Sequence, residues 1–212
     1  IRRTCRAVSR YLDLLLVWKL NFPDKKYNVI HIDPPYPIQL ISRKVRPNQK
    51  AMPYNVMTFE DIENLPIENL ADDNCFIFCW TTHKWMPKTF SLLERWGFNY
   101  NCTITWDKGV GFTPMGFMWS TEFCLFGIKK GNKKRLKKLG EKTLIKEKSK
   151  EHSRKPNAIF SLIDKVCEGE KIDVFGRRLR HGWDVIGNDE KLQNQPLEAF
   201  SHQLINKELL LD

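Results

Sequence analysis

Tyr27-Asn28-Val29-Ile30-His31-Ile32, followed at once by Asp33-Pro34-Pro35-Tyr36, is the stretch on which the reading of this chain turns. The first six residues form a short apolar run rich in β-formers, and an acid and two prolines end it abruptly. That pattern predicts a buried strand that delivers a carboxylate at its carboxyl end. Two prolines fix φ and remove backbone donors, so the Pro34 carbonyl is expected to stand as a rigid acceptor beside Asp33. Tyr36 adds a flat face on which a planar ring can stack. Taken alone, the four residues also suit an ordinary strand-terminating turn, so their neighbours decide between the two readings.

Outward from this strand, apolar runs alternate with helical spacing. Residues 37–53 hold no periodic pattern and read as a loop. Thr58 and Asp61 have the spacing of a capping box that opens a short helix through Leu65. Cys75 to Trp80 reads as a second buried strand. Phe90, Leu93 and Trp96 share a helical face closed by Gly97. Tyr100 to Trp106 and Glu122 to Ile128 read as strands, with residues 109–120 between them as a loop. Pro156 stands at the first position of a helix whose apolar face is Ile159, Leu162, Ile163 and Val166. Lys171 to Phe175 predicts a strand ending at Gly176, Trp183 to Gly187 another, and Leu197 to Leu211 a last helix. This alternation points to an α/β sandwich around a largely parallel sheet. Ligands of such sheets bind outside the carboxyl ends of the strands, where Asp33 and the Phe175-Gly176-Arg177 turn both fall.

The length of 212 residues and an apolar fraction of 42% fit one globular domain. No apolar run reaches the roughly 20 residues that span a bilayer. The six cysteines form no CxxC pair and have no histidine at zinc spacing, and four lie inside apolar runs; they are read as reduced and buried, with no metal expected. The net charge of +10 is concentrated between Lys129 and Lys155, where thirteen Lys or Arg face only three Glu. This basic insert includes Lys133, Lys134, Arg135, Lys137 and Lys138. It is expected to be either a phosphate-facing surface or a solvated loop.

Six ordered stretches resemble the MT-A70 family of adenine-N6 methyltransferases, from about Tyr27 to Glu190. They are Asn28 to Tyr36; Tyr54 to Met57; Phe76 to Trp80; Glu122 to Gly127; His152 to Pro156; and Asp173 to Arg177 with Gly182 to Asn188. The resemblance implies a Rossmann-like fold for S-adenosylmethionine-dependent methyl transfer, permuted so that the catalytic motif precedes the cofactor-binding strand. It implies that Asp33 and the Pro34 carbonyl accept hydrogen bonds from the adenine amino group while Pro35 and Tyr36 complete the motif. An amino nitrogen conjugated with the ring is a poor nucleophile, and two acceptors help it pyramidalise toward the methyl donor. By the same resemblance Lys155 holds the donor's carboxylate. Asp173, Phe175 and Arg177 lie at its ribose, and Asn188 and Asp189 beside its adenine and ribose. Tyr54 and Met57 belong to a loop over the target base, and Trp119 is a further target-facing candidate. Singly, each has a plainer reading: Lys155 as the end of the basic run, Asp173 as a partner of Arg177, Asn188 as a turn residue. His31 is read as a satisfied sheet histidine.

Eukaryotic members usually carry Trp at the fourth motif position, whereas Tyr36 is the form common in bacterial DNA methyltransferases. The expected substrate is therefore adenine in DNA, with the same chemistry on RNA as the alternative and an inactive nucleic-acid-binding partner as a second. A bacterial or phage protein of the cytoplasm, associated with the nucleoid and pairing with itself or a homologue, fits this reading. Target specificity is expected from the loops at residues 37–53 and 109–120.

Overall fold

The computed structural model describes residues 22–37, 57–113, 116–149 and 154–187. Tyr54, Asn188, Asp189 and the expected helix at 197–211 lie outside the described residues, as does most of the loop at 37–53. Among the described residues seven strands form one sheet: β1 (Tyr27–Ile32), β2 (Ala71–Thr81), β3 (Phe98–Phe112), β4 (Trp119–Lys129), β5 (Leu144–Lys146), β6 (Lys171–Val174) and β7 (Asp184–Ile186). Their order is β5-β3-β4-β2-β1-β6-β7. Strands β2, β1, β6 and β7 pair in parallel, as does β5 with β3, and only β4 runs antiparallel to its two neighbours. This is the mostly parallel, Rossmann-like sheet expected, with the Asp33 strand preceding the Asp173 strand in chain order.

Period-two alternation builds a core on each face. Ile30, Ile32, Ile77, Cys79, Ile172 and Val174 point to one side, where Leu92 and Leu93 of helix α3 (Met86–Arg95) cover them. Val29, Phe76, Phe78 and Trp80 point to the other, under Ile159, Phe160 and Ile163 of α4 (Asn157–Val166). Two short helices, α1 (Phe59–Glu63) and α2 (Ile67–Leu70), lie between β1 and β2. The capping box forms as read: Asp61 N–H donates to Thr58 Oγ1 at 3.2 Å, and Thr58 N–H to Asp61 Oδ2 at 3.2 Å. Among the described residues no helix is long and apolar enough to cross a membrane.

Two segments differ from the reading. Within 109–120, residues 109–112 and 119–120 are strand rather than loop, because β3 runs on to Phe112 and pairs there with Trp119. Gly111 permits this, since a Cβ at that position would collide with the Trp119 carbonyl. The basic insert is likewise more than a loop: it carries β5, where Ile145 is buried between the exposed Leu144 and Lys146. Immediately after β5, Glu147 caps α4 from a distance, accepting from the backbone N–H groups of Asn157 (3.2 Å) and Ala158 (3.1 Å). A carboxylate at a helix amino terminus satisfies donors that Pro156 cannot serve.

Candidate active site

Asp33 leaves the sheet at the carboxyl end of β1, its N–H donating to the Val174 carbonyl of β6 at 3.3 Å. The chain then turns tightly. Tyr36 N–H donates to the Pro34 carbonyl at 2.8 Å, and Met57 N–H donates to the Pro35 carbonyl at 3.0 Å. The Pro34 carbonyl is thus not free of competing donors, as its prolines suggested; one of its two lone pairs is occupied, and one remains. Met57 is a core residue, 2% exposed, packed with Ile62 and Leu65 rather than presented to a target base. Tyr36 is also buried, at 7% exposure. Its ring stacks on Trp85 with centroids 5.5 Å apart and planes 12° apart, and Trp85 stacks in turn on Phe59. Its hydroxyl lies 3.0 Å from Thr89 Oγ1, and burial holds the phenol well above its ordinary pKa. Here Tyr36 is a wall that fixes the motif, not an open stacking face.

A chain of four charges runs across the strand ends. Lys155 Nζ lies 3.1 Å from Asp33 Oδ1 and 2.9 Å from Glu122 Oε2, and Lys108 Nζ lies 3.1 Å from Glu122 Oε1. Lys155 also sits over the Trp80 ring, 5.1 Å from its centroid. Burial and the charge of Glu122 raise the Asp33 carboxyl above its ordinary value, against the pull of Lys155. Burial works the same way on Glu122, but Lys155 and then Lys108 outweigh it and hold that carboxyl below the usual range. Lys155 loses by desolvation and gains more from its two carboxylates, so it stays firmly protonated. Asp33 is thereby a charged but comparatively basic carboxylate, and its Oδ2 carries no hydrogen bond among the described residues. Glu122 was not anticipated as a site residue, although it opens one of the six family-like stretches as a lone acid ahead of the apolar run Phe123 to Phe126.

Beside this chain lies an open cleft lined by His31, Asp33, Arg154, Lys155, Asp173, Phe175, Gly176, Arg177 and Arg180, among others. His31 accepts from Trp80 Nε1 at 2.7 Å through Nε2, so its proton is on Nδ1, which donates to Asp173 Oδ1 at 2.7 Å. Both ring nitrogens are committed, and His31 is the satisfied sheet histidine expected; it orients Asp173 and leaves Oδ2 toward the turn. Phe175 takes a left-handed φ of 66°, and Gly176 follows with no room for a side chain. A Cβ at Gly176 would lie 2.5 Å from Val185 Cγ1 and 2.6 Å from Asp173 Oδ2. Such a turn leaves backbone open to close approach by a ligand.

These residues fit S-adenosylmethionine. An ammonium has three donors, and Asp33 and Glu122 use two of those on Lys155, leaving one for a carboxylate. Asp173 Oδ2 suits a hydroxyl pair, and the buried Arg180 Nε has no partner among the described residues. Trp119 lies at the same edge, its ring 5.0 Å from that of His83. The expected phosphate contacts do not. Lys133 N–H donates to Asn74 Oδ1 at 3.0 Å, and Lys137 N–H to the Val166 carbonyl at 2.8 Å. Those anchors place Lys133, Lys134, Arg135, Lys137 and Lys138 at the opposite edge of the sheet, where β2 begins. Lys84 and Lys88 instead stand over the stack that backs the motif, above the Trp85 ring at 5.6 Å and 5.5 Å.

Residues 27–189 match the family model described as MT-A70. Among curated relatives, "Type II methyltransferase M.MunI" from Mycoplasma sp is 28% identical over 185 residues, covering 79% of each chain. The human "N(6)-adenosine-methyltransferase catalytic subunit METTL3" is 28% identical over 190 residues, covering 84% of this chain and 30% of that one. The non-catalytic subunit METTL14 of Xenopus tropicalis is 26% identical over 182 residues, covering 76% of this chain and 39% of that one. The chain thus spans most of the mycoplasmal protein and well under half of the vertebrate subunits. With the family model matched across most of its length, the sheet and the charge chain described above are those of a member of the MT-A70 family.

Proposed function

We propose that the chain transfers a methyl group from S-adenosylmethionine to N6 of adenine in DNA. The observation that carries this reading is the Asp33–Lys155–Glu122 arrangement at the mouth of the cleft, where a basic carboxylate oxygen, Oδ2, is left free beside a committed ammonium. When bound, the donor supplies an electrophilic methyl group on a sulfonium. Asp33 Oδ2 accepts from one amino hydrogen of the target base, and the spare lone pair of the Pro34 carbonyl accepts from the other. The Tyr36–Trp85 stack keeps both acceptors in place, and preorganised acceptors of this kind lower a barrier without reorganising during the reaction. Lys155 binds the donor's carboxylate with its third N–H. Asp173, aimed by His31, accepts from the ribose, and the Phe175–Arg177 turn brings backbone against it. Asn188 and Asp189 complete the donor site, and Tyr54 and Trp119 the target side. Phosphates of the strand meet Lys84 and Lys88.

DNA is preferred on the identity of Tyr36; RNA is the second reading, favoured by the relatives named for N(6)-adenosine methylation. An inactive partner, as the METTL14 relative is named, sits poorly with an intact Asp33–Lys155 pair. The test is methyl transfer to matched DNA and RNA oligonucleotides that contain or lack adenine. Transfer to adenine-containing DNA is expected. Transfer confined to RNA overturns the choice of substrate, and donor binding without transfer to either supports the partner role.

A further inference from the structure

Lys108 stands at the base of the β3–β4 hairpin, outside the lining of the cleft and two charges removed from Asp33, and neither the motif chemistry nor donor binding uses it. Its side chain and that of Glu122 are each only 20% exposed, and the two meet at 3.1 Å across the antiparallel pair. Glu122 divides its oxygens, Oε1 to Lys108 and Oε2 to Lys155. Lys155 in turn divides itself between Glu122 and Asp33. The cluster therefore holds two carboxylates and two ammoniums, and it balances only if Lys108 is counted. Without Lys108, one ammonium would face two carboxylates in a poorly hydrated site. Glu122 would then be free to swing around Lys155, and a buried carboxylate short of a cation favours taking up a proton. Either change moves the ammonium that aims the Asp33 carboxylate.

We infer that Lys108 is a positioning residue for methyl transfer: it pins Glu122, Glu122 pins Lys155, and Lys155 aims Asp33, so that a side chain on the target-facing hairpin sets the geometry of the donor site. This rests on the function proposed above. It also gives the hairpin a part in the reaction besides reaching toward a target, since any movement at its base is passed to Lys155 through one carboxylate.

The test is a double-mutant cycle of Lys108→Met and Glu122→Gln in the full chain, with Lys108→Arg as the conservative variant. S-adenosylmethionine binding is measured by calorimetry, oligonucleotide binding by titration, and kcat and KM by methyl transfer. Lys108→Met should lower kcat, and weaken donor binding, by about tenfold, the usual size of coupling between groups in one network. Lys108→Arg should restore most of the loss. In the Glu122→Gln background Lys108→Met should change neither quantity further. Losses that multiply across the cycle would overturn the inference, because Lys108 would then act independently of Glu122. So would a loss confined to oligonucleotide affinity, which would make Lys108 a phosphate contact. If the unmodified protein transfers no methyl to adenine, the proposed function fails, while the donor-binding arm of the cycle still decides the role of Lys108. If Lys108→Met does not fold, Lys108→Gln carries the same cycle.

Discussion

Replacing Lys155 with Met should cost folding stability at neutral pH and give part of it back on acidification. Lys155 contacts Asp33 at 3.1 Å and Glu122 at 2.9 Å, with side-chain exposures of 14%, 30% and 20% for the three groups. Removing one partner of a buried pair costs about 3–5 kcal/mol, because the other is left charged and unpaired. Here the carboxylates keep some contact with water and Glu122 keeps Lys108, so the lower end, about 3 kcal/mol, applies. For a chain of this size that lowers Tm by about 6–12 °C. The sign with pH follows from the orphaned carboxyls. In the variant their folded-state pKa values rise above the unfolded ones, so between the two the folded state binds more protons and stability falls as pH rises. The deficit against the unmodified protein should therefore be largest near neutrality and shrink as pH drops toward the carboxylate range. Thermal unfolding of both proteins from pH 7.5 to pH 5 measures it. A deficit that is the same at every pH, or one below about 1 kcal/mol at neutral pH, would mean that Lys155 is a solvated surface lysine and that the charge chain is not a unit.

Asp33→Ala should leave the fold intact and reduce turnover by about 10² or more, as loss of one preorganised polar contact does in other active sites; near-normal transfer would remove Asp33 from the mechanism. In the unmodified protein, kcat/KM should fall with acid at a pH above the ordinary aspartate value of 3.8, since burial and Glu122 raise Asp33 and only its ionised form accepts the amino hydrogen. A pH–rate profile flat down to that value would contradict this. Gly176→Ala places a Cβ 2.6 Å from Asp173 Oδ2, so it should displace that carboxylate and weaken donor binding by about tenfold, with a stability cost of about 1–3 kcal/mol; unchanged affinity in calorimetry would show that the turn does not meet the donor.

Much of this fold was legible because its strands are buried on both faces and therefore read as continuous apolar runs, as in Cys75 to Trp80. The Thr58–Asp61 cap was legible because it is local. What escaped was set by partners distant in sequence. Strand β5 has one buried residue, Ile145, among lysines, and only the edge of β3 makes it a strand. The hairpin beyond Asp107 was hidden by Gly109 and Gly111, residues that usually mark loops; here Gly109 takes a left-handed φ of 69° and Gly111 allows close approach of the Trp119 backbone. The positive charge at Lys133 to Lys138 was plain, but its distance from Asp33 depends on anchors at Asn74 and Val166. Tyr36 and Met57 matched the family motif in identity, while their burial is a matter of packing against Trp85 and Ile62 that no spacing displays. Glu122 matters because of two lysines 14 and 33 residues away, a separation at which sequence proximity says nothing.

The single antiparallel strand β4 splits the sheet in a way that bears on how such a protein can diversify. The cleft beside Asp33 and Asp173 is built on β1 and β6, inside the parallel half, whereas the β3–β4 hairpin that reaches past the carboxyl edge belongs to the other half and is joined to the first along β2. Its tip, with Phe117 82% exposed, points into solvent. Residues inserted or exchanged there would lengthen or reshape what the molecule can touch without disturbing the register that sets His31 opposite Asp173. The same reaction could in this way be carried to new target sequences by changing one ribbon, provided its base, at Lys108 and Glu122, is left alone.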